Sequence, residues 1–208
     1  MSGPAFISLD GLDGAGKSTQ CRLLADWLRA AGREVITCID PGGTALGGEI
    51  RSIVLHHRSD MDRMCEALLF MASRAQLLAE VVRPALSAGK TVISDRFLLA
   101  NIVYQGHAGG LDVERLSQMG RFAAGDLEPD LTVVLDLPPE RAAARRDRPA
   151  DRIESRDVAY HVRLRDGFLA EARRRPERIR VVDATTTVDR VQEAIRREVA
   201  SLLGIERG

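Results

Sequence analysis

Gly11-Leu12-Asp13-Gly14-Ala15-Gly16-Lys17-Ser18 fits the pattern G-x-x-x-x-G-K-[ST] at every constrained position. The apolar run Ala5-Phe6-Ile7-Ser8-Leu9 precedes it and reads as a buried strand; Thr19 to Ala31 follows and reads as a helix. A strand, a glycine-rich turn and a helix N-terminus form the setting in which this motif cradles phosphate. Glycines let the backbone wrap closely around an anion, and successive N–H groups then face it together with the helix N-terminus. In such a loop Lys17 reaches the β- and γ-phosphates and the Ser18 hydroxyl holds Mg²⁺. Gly11, Leu12, Asp13, Gly14, Ala15, Gly16 and Thr19 complete the candidate nucleotide-binding surface. The alternative is a glycine-rich turn without a ligand. Lys17 is one of only two lysines among thirty Lys and Arg residues. A chain that otherwise uses arginine places a compact point charge here, which suits phosphate.

Outward from this loop, apolar runs of strand length alternate with helical stretches. Strands are predicted at about 5–10, 34–39, 91–95, 131–137 and 179–183. Helices are predicted at about 18–31, 47–57, 62–88, 98–105, 112–124, 139–146, 156–175 and 187–203. Gly32 and Gly89 stand where helix C-caps belong. The alternation predicts an α/β fold, a five-stranded parallel sheet between two helical layers. No repeat or low-complexity linker interrupts it, so residues 1–208 are expected to form one domain.

Hydrophobic content of 45% and charged content of 29% are ordinary for a soluble globular chain. A net charge of zero gives no global field for a nucleic-acid polymer. Three widely spaced cysteines, Cys21, Cys38 and Cys65, without a C-x-x-C, argue against a zinc site or a disulfide framework. Neither a signal-peptide pattern nor an apolar run near 18 residues occurs. The expectation is a cytoplasmic protein that does not span a membrane.

In this architecture ligands collect at the carboxyl ends of the strands. Asp95, after Thr91-Val92-Ile93-Ser94, has the form of a strand-end acid that orients Mg²⁺, and Arg96 beside it adds a phosphate clamp. Asp136 has the same form and is the second choice; either acid would otherwise cap the next helix. Phe70 and Arg74 share one helix face at i, i+4. A ring and a guanidinium there can stack a base and hold its phosphate, although a core Phe beside a surface Arg has the same spacing. Asn101, Tyr104 and Gln105 follow Asp95-Arg96 at i, i+3, i+4 spacing and offer groups that read base edges. The span Arg141 to Arg178 holds twelve arginines. Within it, about 141–154, an arginine-bearing helix runs into a Pro-containing turn. Such a segment can close over a nucleotide and deliver positive charge, or simply be a solvated charged helix.

Together these residues resemble the thymidylate kinase family, which phosphorylates dTMP with ATP, and the similarity runs along nearly the whole chain. Leu9 to Thr19 is similar to the family's P-loop, Asp40-Pro41-Gly42-Gly43-Thr44 to its E-P-G-G-T segment, and Phe70-Met71-Ala72-Ser73-Arg74 to its base-stacking helix. Asp95-Arg96-Phe97 matches D-R-Y/H, Tyr104-Gln105-Gly106 matches Y-Q-G, Asp151-Arg152-Ile153-Glu154 matches the end of the LID, and Val182-Asp183-Ala184 the final strand. The departures are Asp40 for Glu, Ile39 for a basic residue, Ala100-Asn101 for a Ser-Ser or Ser-Thr pair, and Phe97 for Tyr. The resemblance implies a P-loop fold of the nucleoside monophosphate kinase type, with ATP and Mg²⁺, dTMP as acceptor, and a homodimer.

It further implies that Phe70 stacks on thymine, that Arg74 and Arg96 hold the acceptor phosphate, and that Gln105 or Asn101 bonds the base edge. Asp13 orients Lys17 or the acceptor end. Gly14 leaves the loop without an arginine, so the missing charge is expected from the LID, with Arg148 and Arg152 as candidates. A different nucleoside or nucleoside-monophosphate kinase is the nearest alternative. A P-loop switch protein is the more distant one, and the N-K-x-D string of a GTPase does not occur.

Overall fold

The computed structural model describes residues 3–57, 60–145 and 151–205. Among them the strands β1 (Phe6–Gly11), β2 (Val35–Ile39), β3 (Thr91–Asp95), β4 (Leu131–Asp136) and β5 (Ile179–Asp183) form one parallel sheet in the order β2-β3-β1-β4-β5. Each lies within two residues of its expected limits. The run feeding the glycine-rich loop is the central strand and is buried along its whole length. Successive strand side chains point to opposite faces. Phe6 and Val92 therefore pack with Leu77, Leu78 and Val82, whereas Ile7, Leu9 and Ile93 pack with Leu24, Leu28, Ile195 and Val199. Both faces are covered, as the near-continuous apolar character of the strands requires.

The helices on the described residues are α1 (Lys17–Ala30), α2 (Ala45–His56), α3 (Arg63–Leu77), α4 (Arg83–Ser87), α5 (Leu98–Asn101), α6 (Val113–Ala124), α7 (Pro139–Ala144), α8 (Val158–Arg174) and α9 (Val188–Leu203). Cys21, Leu24, Ala25 and Leu28 of α1 repeat at helical spacing and are all buried. Truncating a fully buried leucine such as Leu24 or Leu28 costs about 2–5 kcal/mol. Gly32 and Gly89 take φ of +78°, the left-handed conformation expected of them.

Two expected helices are interrupted by wider turns. The stretch expected as 62–88 is α3, a π-helical turn at Leu78–Val82, and α4. Pro84 near the start of α4 cannot donate a main-chain hydrogen bond, and the wider turn accommodates that loss. The stretch expected as 98–105 is α5 followed by a π-helical segment at Ile102–His107, closed by Ala108 N donating to Val103 O at 2.9 Å. Tyr104 and Gln105 lie in this second segment; π turns inside helices recur at functional sites.

The register aligns the chemistry. Leu9 of β1 lies opposite Asp95 of β3, and Gly11 lies opposite Leu135 of β4. The carboxyl ends of the three central strands thus meet around the loop.

Candidate active site

Among the described residues five helices carry a side-chain N-cap: Thr44 on α2, Asp62 on α3, Asp112 on α6, Asp157 on α8 and Thr187 on α9. The N-terminus of α1 has none, and no acidic residue in its first turn. Its N-cap is Gly16 at φ +97°, a conformation that favours glycine. Orphan N–H groups of a helix start need partners. Here residues 13–20 line an open cleft of about 710 Å³, so the helix start faces a space that a phosphate chain can fill.

Lys17 is buried and donates from Nζ to Leu12 O at 2.8 Å and Gly11 O at 3.2 Å. Burial, reinforced by the nearby Arg96, pulls its pKa down against the opposing pull of Asp13, Asp95 and Asp10. Ser18 Oγ donates to Asp95 Oδ2 at 2.5 Å. Asp136 is engaged elsewhere: Arg165 binds its two carboxylate oxygens at 2.6 and 2.9 Å. That pairing separates the two acids that were equivalent in form. Among the described residues no cluster of three His, Cys, Asp or Glu side chains is placed to hold a metal alone. One hydroxyl and one carboxylate beside a phosphate cleft suit Mg²⁺, which takes few protein oxygens and completes its shell with phosphate and water.

Asp13, about a third exposed, joins the loop to β3. It accepts from Arg96 Nη2 at 2.5 Å and from the Tyr104 hydroxyl at 2.9 Å, with Lys17 Nζ 3.9 Å away. Burial raises its carboxyl, but Arg96, Lys17 and the two hydrogen bonds outweigh this and hold it well below the usual carboxylate range. Arg96 has φ of +71°, an uncommon conformation for a non-glycine residue. Its backbone is held by Leu9 O, which accepts from its N–H at 2.9 Å, and by Ser94 Oγ, which donates to its carbonyl at 2.6 Å. Its side chain is held by Asp13, Gly11 O at 3.1 Å, and the hydroxyl and ring of Tyr104, the ring centre 5.0 Å from the guanidinium carbon. Strain of this kind persists only where the surroundings over-determine it, and it clusters at functional sites.

A second, narrower pocket opens beside the first. Phe70, Arg74, Asn101, Tyr104 and Gln105, all singled out from the sequence, line it. Arg74 is only 1% exposed. It donates from Nε to Asp40 Oδ2 at 2.6 Å and from Nη1 to Asn101 Oδ1 at 3.0 Å, above the Phe97 ring. Burial pushes the Asp40 carboxyl up, and Arg74 is the main opposing charge. Asp13, Arg51 and Arg96 line both the cleft and this pocket, whereas Arg74 lines the pocket alone. The cations shared by the two chambers are thus Arg51 and Arg96, whereas Arg74 belongs to the narrower pocket, paired with Asp40 as Arg96 is with Asp13.

Of the LID, Arg148 lies outside the described residues. Arg152 lines neither chamber; it donates to Glu66 and, from Nε, to Val54 O at 2.9 Å. Arg145, just past α7, lines the cleft and donates to Ala184 O at 3.2 Å. Arg51 and Arg145 were not singled out individually. The only signal for Arg51 was a lone arginine in the mostly apolar α2; Arg145 was one of many in its segment.

A phosphate cleft that opens, through shared cations, into a pocket of aromatic and amide side chains defines a P-loop kinase of the nucleoside monophosphate type. Residues 9–195 match the thymidylate kinase family. The chain is 48% identical to a thymidylate kinase of Symbiobacterium thermophilum over 200 residues, covering 95% of this chain and 94% of that protein. It is also 48% identical to one of Rhodopirellula baltica over 190 residues, 91% and 78% of the respective lengths. The crystal structure of thymidylate kinase from Ehrlichia chaffeensis superposes with a TM-score of 0.77 at 30% identity, covering 94% of this chain and 99% of that one. The chain belongs to the thymidylate kinase family.

Proposed function

We propose that the protein transfers the γ-phosphoryl group of ATP to the 5′-phosphate of dTMP, giving dTDP and ADP. The observation that carries this reading is the union of the two chambers through Asp13, Arg51 and Arg96. It supports a donor phosphate chain and an acceptor phosphate meeting at one point.

Residues 13–19 cradle the donor phosphates, and the wall formed by Ala184, Thr187 and Val191 flanks the rest of the nucleotide. Lys17 exchanges the carbonyls of Gly11 and Leu12 for phosphate oxygens. Ser18 and Asp95 would hold Mg²⁺, which would supply charge neutralisation at the phosphates. Arg51 and Arg96 hold the acceptor phosphate. Phe70 stacks on thymine, and Arg74 with Asn101 reads its edge; this moves Arg74 from the phosphate to the base. An acceptor phosphate is already an anionic nucleophile, so catalysis is positioning plus charge neutralisation. Arg145 at the cleft supplies LID-side charge, with Arg148 as a further candidate, and Arg152 positions the LID.

The three thiols are free, as suits a reducing cytoplasm, and among the described residues no helix is long and apolar enough to cross a membrane. Leu46 and Ile53 of α2 and Met64 and Leu68 of α3 remain exposed, which supports a homodimer through these helices. Leu77, Leu78 and Val82, farther along the same helical stretch, are core, so its apolar residues divide between the interior and an exposed face.

The decisive experiment is ADP release from ATP and Mg²⁺ with dTMP, dUMP, dCMP and dGMP as acceptors. Release that depends on acceptor and is fastest with dTMP is expected. Release indifferent to acceptor would sink the reading, and preference for another monophosphate would reassign the acceptor.

A further inference from the structure

Glu66 is a buried acid that the reaction does not use. It lies on α3 one turn before Phe70 and two turns before Arg74, on the same face. Only 1% of it is exposed, and it accepts three donors: Gln105 Nε2 at 2.7 Å, Arg156 Nη2 at 3.0 Å, and Arg152. Arg152 also ties its segment to the end of α2 through Val54 O and Leu55 O. Arg156 lies over the Tyr160 ring, whose hydroxyl donates to Tyr104 O at 3.0 Å.

The line continues into the base pocket. Gln105 Oε1 accepts from Asn101 Nδ2 at 2.7 Å, and Asn101 Oδ1 accepts from Arg74 Nη1 at 3.0 Å. A carboxylate offers only acceptors and a guanidinium only donors. Glu66 therefore requires Gln105 to present its NH₂, which leaves the Gln105 oxygen for Asn101. Asn101 must then present its own NH₂ to Gln105 and its oxygen to Arg74. The acid at one end and the cation at the other set the polarity of both amides. Arg152 and Arg156 both claim one oxygen of Glu66 and Gln105 the other, so an amide in its place keeps its oxygen for the arginines, turns its NH₂ toward Gln105, and opposes the polarity that Arg74 sets.

We propose, resting on the acceptor reading above, that Glu66 is a specificity-determining positioning residue: through Gln105 it orients the Asn101 amide toward the acceptor base, while through Arg152 and Arg156 it anchors the C-terminal arm of the LID. Thymine and cytosine present opposite patterns on the edge concerned, O4 and N3–H against N4–H₂ and N3. A site built to hydrogen-bond one pattern rejects the other because buried polar groups are left unpaired. The acid thus favours one pyrimidine over the other from a position that touches neither.

The test is calorimetric binding of dTMP and dCMP to the full chain as wild type, Glu66→Gln and Gln105→Leu. The isosteric Glu66→Gln offers an NH₂ as well as an oxygen and opposes the amide polarity. Wild type is expected to prefer dTMP, and each variant to narrow the ratio of Kd values at least tenfold, mainly by weakening dTMP. The double variant is expected to narrow it no further, because both changes break one relay. Trypsin is expected to cut the Arg152–Arg156 arm faster in Glu66→Gln than in Gln105→Leu, which keeps the acid. A general packing role would weaken both ligands by the same factor. A ratio within twofold of wild type in either folded variant overturns the proposal, as does a wild type that binds both equally. Binding needs no turnover, so failure of the phosphoryl-transfer reading would be seen separately in the ADP-release assay.

Discussion

Replacing Arg51 by alanine is expected to weaken dTMP and leave thymidine unchanged. Arg51 is half-buried, donates from Nη1 to Pro41 O at 3.0 Å, and lines both chambers. A hydrogen bond to a charged group is worth about 1.5–3 kcal/mol, and partial exposure at this site favours the lower end. At about 1.4 kcal/mol per decade, the expected loss in dTMP affinity is roughly ten- to thirtyfold. Thymidine lacks the 5′-phosphate and serves as the control ligand. Arg74→Lys should do the reverse: it keeps a charge beside Asp40 but loses the planar fork, so dTMP and thymidine weaken by the same factor. Titration calorimetry of both ligands against both variants gives the four numbers. Should Arg51→Ala weaken thymidine as much as dTMP, or Arg74→Lys spare thymidine, the division into a phosphate end and a base end is wrong.

Asp40→Ala strands the fully buried Arg74 guanidinium and is expected to destabilise the fold by about 3–5 kcal/mol in urea titration; a loss under 1 kcal/mol would show that Arg74 finds other partners. Among the described residues one carboxyl oxygen of Asp10 has no hydrogen-bond partner, and burial raises its pKa to about 7 against an ordinary 3.8. The folded state then holds a proton that the unfolded state releases, so this group's contribution to stability falls as pH climbs from about 4 through 7. Asp10→Asn removes the effect, and its stability relative to wild type should grow across that window, by on the order of 4 kcal/mol; parallel denaturation midpoints from pH 5 to 8 would refute this. A Cβ on Gly14 would lie 2.3 Å from Ala142 O at a φ of +88°. Gly14→Ala should therefore cost about 1–2 kcal/mol in backbone strain and displace α7 with Arg145. The expected result is lower kcat with little change in dTMP affinity, read by steady-state kinetics and calorimetry.

The strands and the loop were legible because their signals are local. Each strand is a short apolar run with its own boundaries, and the motif's residues touch one another. The assignment of charges was not, because each depends on a partner far along the chain. Asp95 and Asp136 are equivalent in form until Arg165 occupies the second from 29 residues away. Arg152 read as a cation free to meet a phosphoryl group, yet Glu66, 86 residues earlier, receives it. Arg74 read as a phosphate clamp from its own helix, and only the fold brings Asp40, 34 residues earlier, against its guanidinium. A residue's chemistry is written at its own position, but whether its charge is already matched is decided by packing. The Phe97 departure turns out to be structural: its ring is buried edge-on to Phe6 and under Arg74.

Burial also separates contacts that substrates can replace from contacts they cannot. Lys17 and Arg96 are satisfied by oxygens of the loop itself, the carbonyls of Gly11 and Leu12 and the carboxylate of Asp13. All these residues border the open cleft or sit at its base, so an incoming phosphate can take over the donors one for one. Exchange of that kind yields only a modest net gain per bond, about 0.5–1.5 kcal/mol for ordinary partners and more for charged ones. Phosphate affinity at this site is therefore the sum of many small replacements rather than one strong clamp. Arg74 differs in its surroundings: its partner Asp40 is 1% exposed and lies at the wall of the narrower pocket rather than the open cleft. Its Nε donates to Asp40 and its Nη1 to Asn101, so the guanidinium is held from two sides. Asp13 belongs with the replaceable set, and holding its carboxyl well below the usual range keeps it ionised at neutral pH. It lies within ion-pair distance of both Lys17 and Arg96, and an acceptor phosphate that already carries an anionic oxygen requires no general base.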